Sequence, residues 1–169
     1  TLQRFTMNSD LDGDTLLQSV LKADMHNIRT TMDNIDTESF QKAVQMVLEA
    51  SHVYILGLRS ASLLADYLGH YLSFILPNIY IVTDGSRDVF EQLLRAGKDD
   101  VLIGVSFPRY STRTLEAASF VRSRGCGLIA LTDSVNSPLS ETADISLIAS
   151  SNMASFVDSL VAPLSVANA

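Results

Sequence analysis

Short apolar runs alternate with longer amphipathic stretches along most of the chain. Residues 53–57, 79–83, 101–106, 128–132 and 145–148 are rich in Val, Ile and Leu and are bounded by turn residues, so the pattern predicts five strands. Helical spacing of apolar positions falls near 61–76, 87–95, 112–124 and 155–169, with a short helical turn at 138–142. Pro77-Asn78, Ala96-Gly97-Lys98-Asp99 and Arg124-Gly125 punctuate the joins. Short apolar strands separated by helices imply a mostly parallel sheet covered on both faces.

Two helices precede the first strand. Leu17, Val20, Leu21, Met25, Ile28 and Met32 recur at helical spacing within 14–34. Asp36-Thr37 offers an N-cap for a second helix, with Phe40, Val44, Val47 and Leu48 on one face. Residues 1–13 are polar and aperiodic and read as a tail or linker. The expected fold is three-layer α/β with a doubly wound, five-stranded parallel sheet of flavodoxin-like order 2-1-3-4-5 and N-terminal helices. In that order strands one and three are neighbours, winding reverses between them, and a crevice opens at their carboxyl ends.

Two segments stand where this crevice is expected. Gly57-Leu58-Arg59-Ser60-Ala61-Ser62 follows the first strand, and the run from Ser106 through Phe107, Pro108, Arg109, Tyr110, Ser111, Thr112 and Arg113 to Thr114 follows the third. Each leads into a helical pattern. Hydroxyls and guanidiniums at a helix N-terminus suit an anion, because free backbone N–H groups and the positive end of the helix dipole meet there. A serine N-cap contributes about 1 kcal/mol and needs no ligand. That explanation covers one hydroxyl, but not four hydroxyls with two arginines in nine residues.

Composition narrows the function classes. With 47% hydrophobic and 18% charged residues, the 169-residue chain reads as one ordinary globular domain with an appendage. A net charge of −7 argues against this chain gripping nucleic acid alone, since duplex binding needs basic surface. The single cysteine, Cys126, rules out an internal disulfide, fits a reducing cytoplasm, and is most simply a small core residue. His26, His52 and His70 have no ligand spacing, so no metal or cofactor is expected. No apolar run approaches the roughly 18 residues of a membrane helix, and the N-terminus lacks the build of a signal peptide. The chain opens at Thr1 and closes at Ala169 inside an apolar helical pattern, so a piece of a longer protein, cut within its C-terminal region, is expected.

The two turns also carry a family resemblance. The layout resembles a sugar isomerase (SIS) domain, whose second motif commonly reads Ser-x-Ser-Gly-x-Thr-x-x-Thr; residues 106–114 lie on it without a gap. With Gly57-Leu58-Arg59-Ser60, Leu131-Thr132-Asp133-Ser134, Ser137-Pro138-Leu139 and Ala143-Asp144, the chain is similar to RpiR-type bacterial transcriptional regulators over about residues 14–169. The resemblance implies a phosphosugar-sensing, dimerising effector domain covering 36–169, with 1–35 connecting it to a helix-turn-helix DNA-binding domain absent from this chain. It implies phosphate-binding hydroxyls at Ser106, Ser111 and Ser60, with Thr114 closing the motif. Three positions depart from the family pattern: Ala61, Pro108 and Arg109 stand where serine, serine and glycine are common. Arg59 and Arg109 can supply charge in compensation.

Enzymatic SIS proteins interconvert aldose and ketose phosphates through an enediol, which needs a base beside the sugar. His70, Glu91, Glu116 and Glu141 are the candidates; Glu116 reads as solvated, Glu91 as a helix-face residue and Glu141 as lacking a clear partner, and no catalytic residue is assigned. His70 lies in the apolar pattern 67–72, where a packing or interface role is the simpler one. The 63–76 stretch is apolar nearly all round, which suggests an interface or a fully buried helix. A homodimer, a phosphorylated sugar effector and a cytoplasmic setting complete the expectation. The alternatives are an aldose-ketose phosphosugar isomerase and a dimerisation module with a degenerate pocket.

Overall fold

In a computed structural model the chain forms a five-stranded parallel sheet of order β2-β1-β3-β4-β5. The structure describes residues 13–169 except 86 and 154–156; the expected tail therefore falls almost wholly outside the described residues. The strands are β1 (Val53–Gly57), β2 (Ile79–Val82), β3 (Val101–Val105), β4 (Gly127–Thr132) and β5 (Ile145–Ile148). The helices are α1 (Gly13–Asn34), α2 (Thr37–Glu49), α3 (Ser62–Leu72), α4 (Val89–Leu93), α5 (Thr112–Ser123) and α6 (Val161–Asn168). Short 3₁₀ turns occupy Arg59–Ala61 and Ser140–Thr142.

Alternation along the strands builds the two cores. Tyr54, Leu56, Leu102, Leu128 and Ala130 pack with Val89, Leu93, Ala117 and Val121 of α4 and α5 on one face. Val53, Ile55, Val101, Ile103 and Ile129 pack with Ala43 of α2 and Ala65 of α3 on the other. Both faces are covered, which is why the central strands are continuous apolar runs rather than alternating ones. A third cluster, including Ala61, Leu64, Val105, Phe107, Leu131 and Ala149, sits at the carboxyl rim and anchors the turns there.

Element boundaries differ from the expectation where proline acts. The 61–76 pattern is helical only through Leu72; Ser73 to Leu76 close in tight turns, and Leu76 precedes Pro77, which disfavours the helical region. The 155–169 pattern becomes a helix only from Val161, and residues 155 and 156 lie outside those described. A helix begun at 155 would place Pro163 in its interior, whereas in the first turn its missing N–H costs nothing. The 87–95 stretch shortens to Val89–Leu93, opened by the Asp88 side chain accepting from the Phe90 N–H. β2 ends one residue early at Val82, β3 ends at Val105 rather than 106, and α5 ends at Ser123 rather than 124.

Helix α1 packs in a way its apolar stripe did not foretell. Leu17, Leu21, Met25, Ile28 and Met32 are all exposed, whereas the buried positions are polar Asn27 and Thr31. Asn27 Nδ2 donates to the Asn152 carbonyl, Ser150 Oγ donates to Asn27 Oδ1, and the Ser150 N–H donates to Thr31 Oγ1. Ser159 Oγ adds a bond to Asp24 Oδ1 at 2.6 Å. The helix is therefore tied by hydrogen bonds to the loop after β5, at the carboxyl rim of the sheet.

Candidate functional site

The parallel register brings the two turns together. β1 and β3 are direct neighbours, with Gly57 opposite Val105, so both chains leave the sheet at the same level. A Cβ on Gly57 would lie 2.5 Å from the Ala61 carbonyl oxygen, so only glycine lets the first turn fold back this closely. The second turn is fixed by the Ser106 N–H, which donates to the Leu131 carbonyl of β4 at 3.1 Å.

A cavity of about 200 Å³ lies between the turns, and Arg59, Ser60, Ser106, Arg109, Ser111 and Thr114 all line it. Every residue the sequence singled out for the anion is therefore gathered in one place. Ser106 is buried at the end of β3. Ser111 is the N-cap of α5: its Oγ accepts the Thr114 N–H at 3.4 Å. Its cap role and its place on the cavity wall coexist, since a hydroxyl accepting from the helix still has a proton to donate. No side chain caps the N-terminus of α3, so its first N–H groups are without a side-chain acceptor.

Both arginines hold left-handed backbone, Arg59 at φ 58° and Arg109 at φ 68°. They are the non-glycine residues with positive φ among those described, and both sit in this cavity. Such geometry costs an L-residue about 1–2 kcal/mol and persists where surrounding contacts over-determine it. Asp84, in the loop after β2, supplies one such contact by accepting the Arg59 N–H at 2.6 Å. Asp158 supplies the other by accepting from Arg109 Nη2 at 2.6 Å.

Tyr110 and Asp133 brace the second turn. The Tyr110 hydroxyl donates to Asp133 Oδ1 at 2.8 Å. Burial, reinforced by the hydrogen bond to Asp133 and its charge, pushes the phenol up to about 12, so the donor keeps its proton across the physiological range. The Asp133 carboxylate also accepts from Thr132 Oγ1 at 3.3 Å.

The four candidate bases lie elsewhere. His70 is exposed on α3, edge-on to Tyr71 and Phe74, and Glu91, Glu116 and Glu141 are exposed on other elements. None lines the cavity. Among the described residues, no group of three or more His, Cys, Asp or Glu side chains is placed to hold a metal ion.

The SIS domain family model matches residues 46–169, which take in both turns and all five strands. The chain belongs to the SIS domain family. It is 26% identical over 148 residues to an uncharacterised HTH-type transcriptional regulator of Haemophilus influenzae, covering 87% of this chain and 50% of that protein. The chain thus spans about half the length of that relative. Among solved structures, the sugar isomerase domain of an RpiR transcription factor from Sphaerobacter thermophilus is 30% identical with a TM-score of 0.86, over 90% of this chain and 86% of that one. The Vibrio vulnificus NanR protein complexed with ManNAc-6P shares the fold at 22% identity and a TM-score of 0.74, over 92% of this chain and 59% of that one.

Sequence reasoning located this SIS domain's cavity-lining hydroxyls and guanidiniums but missed the carboxylates that hold the arginines. Asp84 lies 25 residues from Arg59, and Asp158 lies 49 residues from Arg109. Neither belongs to a motif. The one available signal was the arginine standing at the motif's usual glycine, because a side chain forced into left-handed backbone needs partners.

Proposed function

We propose that this SIS domain is the phosphosugar-sensing and dimerising part of a transcriptional regulator of sugar metabolism. One observation carries the reading: six anion-suited residues from two distant segments line one cavity at the N-termini of two helices. In this reading the phosphate sits between the turns, held by Ser106, Ser111 and Ser60, by Thr114 at the start of α5, and by the first-turn N–H groups of α5. Arg59 adds positive charge while its backbone N–H stays on Asp84, and Arg109, paired through Nη2 with Asp158, keeps further N–H donors for a phosphate oxygen. The HTH-type names of its relatives support a role in transcription, with DNA bound through a helix-turn-helix domain outside these residues. A homodimer has a ready surface in the exposed stripe of α1 and in Leu63, Tyr71, Phe74 and Ile75 on and just after α3. A cytoplasmic setting follows from the same role.

The reading favours a sensor over an isomerase because the candidate bases stand outside the cavity. The test is titration calorimetry with a panel of hexose and pentose phosphates, paired with NMR in deuterated water. Saturable binding is expected, weakened about tenfold or more by Ser106→Ala through loss of a hydrogen bond to a charged group, with no deuterium entering the sugar. Silence across the panel at millimolar concentration sinks the sensor, and proton exchange beside the carbonyl favours the isomerase.

A further inference from the structure

A second cavity, about 470 Å³, adjoins the first and shares Pro108 as a wall. The smaller one falls below the roughly 300–1,000 Å³ typical of ligand pockets, and the larger one falls within it. The larger cavity is lined by polar groups from three places: Thr30 and Asn34 of α1, Asp133 after β4, and Ser150 and Asp158 after β5.

Asp158 stands at the junction. Its carboxylate is 6% exposed, and Oδ2 is taken by Arg109, which belongs to the smaller cavity. Oδ1 is buried and has no hydrogen-bond partner among the described residues. A buried carboxylate oxygen without a donor is costly. Asp158 lines the larger cavity, so a small shift of its buried side chain would let a bound molecule supply the donor.

We propose that Asp158 reads the body of the phosphorylated effector. The phosphate occupies the smaller cavity, and a hydroxyl or amino group of the same molecule donates to Asp158 Oδ1 in the larger. Arg109 serves both ends at once, because a guanidinium has five N–H donors and can keep Asp158 while meeting a phosphate oxygen. The inference rests on the phosphate reading above and adds to it the residue that tells donor-bearing monoesters from apolar ones. Monoesters with apolar bodies leave Oδ1 unpaired. Those with a second acidic group meet the carboxylates of Asp133 and Asp158 and are repelled. Since Thr30 and Asn34 line the same space, the effector would touch α1 directly.

The test compares binding of glucose 6-phosphate, fructose 6-phosphate, glucosamine 6-phosphate and ribose 5-phosphate with that of n-propyl phosphate, which has the phosphate but no donors. The wild-type chain is expected to prefer at least one donor-bearing ester by about tenfold or more. Asp158→Asn keeps a carbonyl oxygen for Arg109 but turns the free acceptor into an NH₂ donor, and should bring that ratio close to one. Asp158→Glu keeps the charge yet displaces the free oxygen by one methylene; it should reduce the ratio too, and it decides the matter if the amide variant does not fold. An equal affinity of the wild type for propyl phosphate and the sugars overturns the role of Asp158 while leaving the phosphate site standing, as does an undiminished preference in both variants. If the wild type binds no ester at all, the phosphate site falls and Asp158 with it.

Discussion

Arg59 and Arg109 adopt the same unusual backbone and differ in what their side chains hold. Arg59 has no salt bridge among the described residues, whereas Arg109 neutralises the buried Asp158. Glycine at either position removes the left-handed cost of about 1–2 kcal/mol and introduces its own entropic cost of about 0.5–1 kcal/mol. Arg59→Gly should therefore leave stability within about 1 kcal/mol of the parent by urea denaturation, while weakening sugar-phosphate binding. Arg109→Gly gains the same relief but strands a buried carboxylate, at about 1–3 kcal/mol. It should be the less stable variant, and equal midpoints for the two would show that Asp158 does not depend on Arg109. At this scale the residue types on the cavity wall were legible, because hydroxyls and guanidiniums cluster in the sequence. Their carboxylate partners were not, because contacts made across tens of residues leave no local mark.

Among the elements, α5 joins capping to the candidate site through Ser111. The two roles separate with Ser111→Asp. Aspartate caps a helix as well as serine does, and its charge suits the N-terminal end of the dipole. The same charge opposes a phosphate. The thermal midpoint should hold or rise while calorimetric binding of a sugar phosphate disappears; retained binding would remove the α5 N-terminus from the anion site. The strands were readable from apolar runs because both faces of the sheet are covered. The ends of α3 and α6 were misread because periodicity continues through residues where Pro77 and Pro163 dictate the backbone. Helix α1 shows another limit. Its apolar stripe marked a helix correctly, but its hydrogen-bonded anchors are Asp24, Asn27 and Thr31, three polar residues no hydrophobic pattern reports.

For the whole molecule, three acids that hold their protons more tightly in the fold weaken it at alkaline pH: buried Cys126 and Tyr54, and half-buried Tyr110. Burial, with the nearby Asp100 charge second, raises the Cys126 thiol from 9.0 to about 11, and burial raises the Tyr110 phenol from 10.0 to about 12. Both folded-state values lie above the unfolded ones, so the folded chain holds these protons longer. Their contribution is intact below about pH 9 and is lost as pH rises toward 11 for Cys126 and 12 for Tyr110. Urea midpoints measured from pH 8 to 11 should fall once pH passes about 9, and Cys126→Ala should flatten the first part of that fall; an unchanged slope in the variant would assign the loss to other groups. The attachment of α1 has a mechanical side as well. Its 22 residues make a rod about 33 Å long, pinned at Asp24, Asn27 and Thr31 from its middle toward its C-terminal end. A tilt of about 10° at the Asp24 pin sweeps the Gly13 end through about 3 Å, given the rise of about 1.5 Å per residue. The loop after β5 is thus the fulcrum of a lever, and a small shift beside the cavity is magnified at its far tip.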